Sequence, residues 1–196
     1  MPTTHESNPI SWFQRWFDQA LQTEQLEPTA MCLATVDPQG RPAARIVLLK
    51  SFDDKGFVFY TNLESTKGRH LLDHPFAALT FHWKSLERQV RITGPVELVS
   101  AAEADEYFHS RSRGSQLGAW ASKQSRPLGS RDKLSRAVQA LEEKYEGQEV
   151  PRPPHWSGFR VRAEQIEFWE AGEFRLHDRF LFTKNDQGWS CERLYP

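Results

Sequence analysis

Residues 9 to 25 set Trp12, Phe13, Trp16, Phe17, Ala20 and Leu21 among polar neighbours at i, i+4 spacing. That pattern predicts an amphipathic helix whose one wide apolar face must dock on something. Beyond it the periodicity shortens to that of strands. Thr29 to Val36 and Ala43 to Leu49 flank Asp37-Pro38-Gln39-Gly40, where proline at the second position and glycine at the fourth suit a type I turn. Two further tetrads, Asp53-Asp54-Lys55-Gly56 and Asn185-Asp186-Gln187-Gly188, separate other β-rich runs, so three hairpins are predicted. Strands are also predicted over 57–61, 76–83 and 89–99, the last with a bulge or bend at Gly94-Pro95. Ser65 can cap a short helix that stops at Pro75, and Ser100-Ala101-Ala102-Glu103 is a capping box opening a helix to about Ser110. Helical stretches follow over roughly 113–122 and 130–146. After the extended connector Pro151-Arg152-Pro153-Pro154, strands return from Trp156 onward.

Hairpin-linked strands with one helical insertion and no regular β-α-β alternation predict a mainly β fold with peripheral helices, an antiparallel sheet closed as a barrel. Residues 1–27 would form an N-terminal amphipathic helix packing on the barrel. Residues 28–196 would form a single barrel domain, with the helical insertion over about 100–146. The absence of G-x-G-x-x-G, of a Walker lysine and of a fixed-period repeat argues against a Rossmann or P-loop protein.

Composition narrows the partners more than the fold. At 196 residues one domain can bury an adequate core without staples. Cys32 and Cys191 are far apart and form no C-x-x-C, which argues against a zinc or thioredoxin-type site and for a reducing compartment. No stretch approaches the ~20 apolar residues that span a bilayer, so a cytoplasmic protein with no membrane partner is expected. A net charge of −1, from 25 Lys and Arg against 26 Asp and Glu, gives no field to attract nucleic acid. Aromatic residues make up 12%, enough to fill a core, an interface or the walls of a planar-ligand site.

Candidate chemistry gathers in five places. Arg175-Leu176-His177-Asp178-Arg179 holds four ionisable side chains in five residues, fixed positive charge beside an imidazole, which suits an anionic ligand undergoing proton or hydride chemistry. A charged strand end making surface ion pairs is the alternative. Arg45 to Lys50 puts a cation at each end of an apolar strand, on opposite faces by alternation. Downstream of Tyr60-Thr61-Asn62, Ser65-Thr66-Lys67-Gly68 is a helix start whose N–H groups could bind phosphate or simply be capped. Gln89, read as buried, could meet the edge of a planar heterocycle or be satisfied by backbone. Tyr107, Arg111 and Ser115 could hold a second phosphate, although a helix C-terminus by itself accounts for Arg111 and Arg113. His70 and His74 are spaced like zinc ligands but lack a third, so no metal is expected.

Taken together, Arg45 to Lys50 with Tyr60-Thr61, Leu86-Glu87-Arg88-Gln89-Val90, Tyr107-Phe108-His109-Ser110-Arg111, Gln116-Leu117-Gly118-Ala119-Trp120 with Lys123-Gln124-Ser125, and Glu167-Phe168-Trp169 followed by the 175–179 pentad resemble the motifs of the pyridoxamine 5'-phosphate oxidase family. They occur in the same order, from about Pro28 to Pro196. The resemblance implies an FMN-binding split β-barrel, antiparallel and of Greek-key type, assembled as a homodimer with FMN at the subunit interface. It implies oxidation of pyridoxine 5'-phosphate or pyridoxamine 5'-phosphate to pyridoxal 5'-phosphate, with O2 reoxidising the flavin and yielding hydrogen peroxide. By the same resemblance Arg45, Ile46, Val47, Leu48, Leu49, Lys50, Tyr60, Thr61, Thr66, Lys67, Gln89, Gln124, Ser125, Trp169 and Arg179 contact FMN. Lys50, Tyr107, Arg111 and Ser115 take the substrate phosphate. Arg175 and His177, two apart on one strand face, lie over the pyridine ring as the catalytic pair, and Asp178 on the opposite face makes a structural ion pair.

Two departures from the family pattern stand out. Thr66 occupies a place where many members carry arginine, which leaves Lys67, the helix N-terminus or Arg69 to replace a guanidinium on the FMN phosphate. The N-terminus also lacks the basic stretch that folds over the active site in longer members. Two rivals remain: a split-barrel oxidase of another substrate, such as a fused-ring metabolite, and a non-enzymatic FMN or pyridoxal phosphate binder. Tyr107, Arg111 and Ser115 speak against the first, and Arg175 with His177 against the second.

Overall fold

A computed structural model describes residues 8–196, so the basic-poor start of the chain lies outside the described residues. In chain order the elements are α1 (Pro9–Thr23), β1 (Ala30–Val36), β2 (Pro42–Leu48), β3 (Ser51–Asp53), β4 (Gly56–Asn62), α2 (Thr66–Asp73), β5 (Phe76–Trp83) and β6 (Arg88–Leu98). There follow α3 (Ala101–Ser110), α4 (Arg113–Ala121), α5 (Arg131–Lys144), β7 (Trp156–Val161), β8 (Gln165–Glu170), β9 (Asp178–Asn185) and β10 (Gly188–Arg193).

All three predicted hairpins form, β1–β2, β3–β4 and β9–β10. Each turn uses one device: the side chain of Asp37, Asp53 or Asn185 accepts the N–H two residues on, at 2.9 Å in each case. The helix starts are equally local. Ser65 accepts the Gly68 N–H at 3.2 Å, and Ser100 and Glu103 exchange the two hydrogen bonds of a capping box.

The strands form one antiparallel sheet in the order β10-β9-β8-β6-β5-β1-β2, and β6 also hands on to β7, β4 and β3. The expected antiparallel, mainly β split barrel is therefore the observed fold. The pivot is the bend predicted at Gly94-Pro95. Before it, Arg88 to Thr93 pair with β8; after it, Val96 to Leu98 pair with β7. A Cβ on Gly94 would stand 1.9 Å from the Arg162 carbonyl oxygen, so only glycine lets the two backbones approach this closely.

Alternation sends Leu33, Leu79, Phe81, Val90, Ile92, Ile166 and Phe168 to the inner face, where all are fully buried. The apolar stripe of α1 lies over them. Trp12 stacks on Phe168 with ring centroids 4.5 Å apart, and Phe13 meets Phe52, Phe57 and Phe81 edge-on at 4.7, 5.0 and 5.2 Å. Such pairs add to area burial, and truncating a ring like these costs about 3–5 kcal/mol. A second apolar cluster, Phe108, Leu117, Tyr145, Val150 and Trp156, ties α3, α4 and α5 to β7. Among the described residues no helix is long and apolar enough to cross a membrane.

Candidate active site

The end of β2, β4, the start of α2 and the junction of α3 with α4 enclose a cavity of 670 Å³. Its walls include Ile46, Val47, Leu48, Lys50, Tyr60, Thr61, Lys67, Tyr107, Arg111, Ser115 and Gln124, all singled out from the sequence. No aspartate or glutamate lines it, so three cations, Lys50, Lys67 and Arg111, set the local field.

Each cation is placed by its element. Lys67, in the first turn of α2, donates to Gln124 Oε1 at 2.9 Å, Thr61 Oγ1 at 3.1 Å and Ser65 Oγ at 3.4 Å. Burial, and then the charge of Arg45, pulls its pKa below that of an ordinary lysine. The N–H groups opening α2 point the same way as its dipole, toward any anion at this end. Arg111 follows α3 and lies over the Trp156 ring at 4.8 Å. Its Nη1 is buried without a hydrogen-bond partner, the one such side-chain atom among the described residues, and burial lowers its pKa. Gln116 holds this corner by donating to the carbonyls of Arg111, Phe108 and His109 at 3.0 to 3.3 Å. Tyr60, Tyr107 and Trp156 supply a wall of near-parallel rings, with Tyr60 to Tyr107 at 4.1 Å and Tyr60 to Trp156 at 5.3 Å. Burial, then the neighbouring Glu103 charge, raises the Tyr60 pKa.

The rest of the 45–50 segment is arranged differently. Because β2 ends at Leu48, Arg45 and Lys50 do not face opposite ways on one strand; Lys50 follows the strand, its N–H bonded to Val58 O at 2.9 Å. Arg45 donates to Thr35 Oγ1 at 2.7 Å and Leu33 O at 3.0 Å, Thr35 in turn contacting His70 Nδ1 at 3.1 Å. Leu49 is packed in the core, 3% exposed. Thr66 opens α2, and Ser125 is exposed at φ +67° beside Gln124. Arg69 is exposed and donates to Glu64 O at 3.1 Å.

A second group lies elsewhere. Register puts Gln89, Trp169 and Arg179 opposite one another on β6, β8 and β9, a single row on the outer face of the sheet. Gln89 is half-buried there, not buried as predicted, because that face has no layer of its own chain over it. Arg175 and His177 are not on a strand face either. Glu173–Arg175 is a 3₁₀ turn in which Phe174 and Arg175 have φ of +54° and +64°, and β9 begins only at Asp178. The chain folds back so tightly that a Cβ on Gly172 would lie 2.1 Å from Leu176 O. The Gly172 N–H donates to His177 Nδ1 at 3.2 Å, and the His177 ring rests against Trp169 with centroids 4.6 Å apart. With Nδ1 accepting, the neutral ring carries its proton on Nε2. Asp178 pairs with Arg193 as expected, whereas Arg179 is held by Glu167 at 2.9 Å and by Tyr195 O at 3.0 Å.

The two groups stand on different parts of the sheet. Between β2 and β8 stand β1, β5 and β6, roughly 20 Å along the sheet at the usual strand spacing. Ser112, Ser122 and Trp156 also line the cavity and were given no role from the sequence, and Asn62, which lines it too, stood there only as the neighbour of Thr61. Only the unusual aromatic content hinted at Trp156. His70 and His74 belong to no group of three metal-binding side chains among the described residues.

Residues 17–170 match the family described as pyridoxamine 5'-phosphate oxidase, and 156–196 match the pyridoxine 5'-phosphate oxidase C-terminal dimerisation region. The pyridoxine/pyridoxamine 5'-phosphate oxidase of Myxococcus xanthus (strain DK1622) is 57% identical over 189 residues, 96% of this chain and 92% of that protein. That of Acaryochloris marina (strain MBIC 11017) is 56% identical over 196 residues, 100% of this chain and 90% of the other. Among solved structures, PhzG from Burkholderia lata 383, in complex with tetrahydrophenazine-1-carboxylic acid, superposes with a TM-score of 0.91 at 31% identity, covering 98% of this chain and 95% of its own. A pyridoxamine 5'-phosphate oxidase-related, FMN-binding protein from Nostoc punctiforme PCC 73102 shares the fold at a TM-score of 0.75 and 20% identity, covering 94% and 97%.

Proposed function

Because the chain belongs to the pyridoxamine 5'-phosphate oxidase family, we propose that it oxidises pyridoxine 5'-phosphate and pyridoxamine 5'-phosphate to pyridoxal 5'-phosphate, using FMN and O2. The observation that carries the reading is the buried, partnerless Nη1 of Arg111 in a cavity lined by cations and by no carboxylate. A buried guanidinium edge without an acceptor is costly unless an anion completes it. A phosphorylated substrate fits that need better than an unphosphorylated fused ring.

The residues also fit a second phosphate. Lys67, the start of α2, Thr61 and Gln124 would hold the FMN phosphate, while Lys50, Tyr107, Arg111 and Ser115 take that of the substrate. Bound FMN would supply a hydride acceptor for the substrate C4' carbon and a route for the electrons to O2, so that the alcohol would give the aldehyde and H2O2, and the amine, with water, the aldehyde, NH3 and H2O2. The protein's task is then positioning more than proton transfer. Arg175 covers the open face of the substrate ring. His177, its Nδ1 occupied, offers Nε2–H as a donor to the ring's polar periphery and is not required as a base. The remaining FMN contacts proposed for this chain are Arg45 to Leu49, Tyr60, Thr66, Gln89, Ser125, Trp169 and Arg179.

The placement of the two groups on different strands supports a homodimer in which the row Gln89-Trp169-Arg179 and the 172–177 turn of one copy complete the cavity of the other. The match of 156–196 to a dimerisation region favours the same arrangement. Residues 28–196 form the barrel unit in this reading, α1 its helical cover, and the two free cysteines favour the cytoplasm.

The purified protein should be yellow, and pyridoxine 5'-phosphate added under air should yield peroxide and an aldehyde with the absorption of pyridoxal phosphate. Flavin without turnover would reduce the reading to a binding protein. Colourless protein that takes up no FMN would end it.

A further inference from the structure

We infer that Glu167 is a positioning residue for cofactor binding, holding Arg179 in the orientation that meets FMN; the inference rests on the FMN contact proposed above for Arg179. Glu167 is 4% exposed although it lies on the outer face of β8, where its neighbours Gln165 and Trp169 are more open. Its burial comes from two arginines on the flanking strands. Oε1 accepts from Nε and Nη2 of Arg179, both at 2.9 Å, and Oε2 accepts from Nη2 of Arg91.

The geometry shows what this carboxylate does. Arg179 stands directly opposite Trp169, one row from Glu167, which itself stands opposite Arg91 and Leu181. The bond from Arg179 to Glu167 is therefore diagonal across the strands and draws the guanidinium along the sheet. Its third nitrogen, Nη1, donates to the Tyr195 carbonyl at 3.0 Å, so the plane of the fork is set at both ends. One hydrogen on each Nη stays free for a ligand.

A buried carboxylate adds little stability over an apolar residue of similar volume. What it adds is direction and charge balance. Arg91 and Arg179 would otherwise be two uncompensated cations on adjacent rows; with Glu167 between them the trio carries a net single positive charge, and the orientation of the Arg179 guanidinium is fixed. Arg91, half-exposed and turned to the other oxygen, steadies Glu167 without reaching the Trp169 row.

The test is a double-mutant cycle on FMN affinity, read by quenching of flavin fluorescence as FMN is titrated into apoprotein. E167Q and R179A should each weaken binding about tenfold, the scale of outer-shell losses at ligand sites, and the double variant should bind within about twofold of R179A, since the two residues act as one unit. E167D, which keeps the charge, should recover most of the affinity and serves as the reporter if E167Q does not fold. Additive losses, or wild-type affinity in E167Q beside a weakened R179A, would overturn the role of Glu167 while leaving Arg179 on FMN. Unchanged affinity in R179A would remove that contact itself, and the inference with it.

Discussion

The cavity and the 172–177 turn, the two halves of the site proposed above, are built in opposite ways. The cavity side chains are anchored by their own chain: Lys67 by three oxygens, Arg111 at a corner held by Gln116, Tyr60 against two rings. The turn is exposed, with Phe174 at 90% and Leu176 at 70%, and two of its residues sit at positive φ. Tyr195, whose carbonyl holds Arg179, is 93% exposed. Large apolar side chains at that exposure, on a backbone costing of order 1–3 kcal/mol per strained residue, are what a surface completed by a second copy requires. The cavity is walled by its own chain, whereas in the proposed dimer the exposed turn would be covered by the second copy.

The largest expected effect is on the cavity half. Arg111→Ala should raise KM for pyridoxine 5'-phosphate about 100-fold, the loss of a charge-assisted pair, with little change in melting temperature because the buried Nη1 has no partner to lose. Steady-state kinetics beside a thermal melt checks it, and a stable enzyme of unchanged KM would remove Arg111 from the phosphate. For the turn, Arg175→Ala should lower kcat about 10- to 100-fold while the flavin stays bound, the signature of a group used for positioning in the reaction. Loss of flavin with unchanged turnover per bound flavin would reverse that assignment.

A pH series separates the halves at lower cost in affinity. The lowered pKa of Lys67 means that in the free protein it sheds its proton earlier than an ordinary lysine as pH rises. A bound phosphate favours the charged form, so FMN affinity should decline through the alkaline range below the lysine value of 10.5, with proton uptake on binding. Lys67→Arg should move that decline to higher pH; a flat profile in the parent would show that Lys67 does not meet the phosphate. The smallest effect is expected from Thr66→Arg, a tightening of FMN by about three- to tenfold for one added exposed charge contact. No change would mean that Lys67 and the start of α2 already suffice.

Local chemistry made most of the fold legible. The hairpin tetrads, the caps at Ser65 and Ser100 and the bend at Gly94-Pro95 act within a few residues, and each is where the pattern put it. Legibility stopped where placement depends on distant backbone. Arg175 and His177 looked like a strand pair because charged and apolar residues alternate there, yet the return of Leu176 against Gly172 imposes a turn instead. Gln89 looked buried because its strand is, but its face is the outer one.

What the sequence determined by itself was which residue types are on hand for the proposed reaction, since their types, order and spacing are covalent facts. It also determined the stripe of α1 and the alternation of the strands, which follow from helix and strand periods alone. Only the tertiary structure decided which of those groups are neighbours. Sheet order separates the Lys67 cavity from the Trp169 row, and cross-strand register aligns Gln89, Trp169 and Arg179, residues far apart in the chain. Those arrangements are set by hydrogen bonds and packing between segments distant in sequence, which no local pattern encodes.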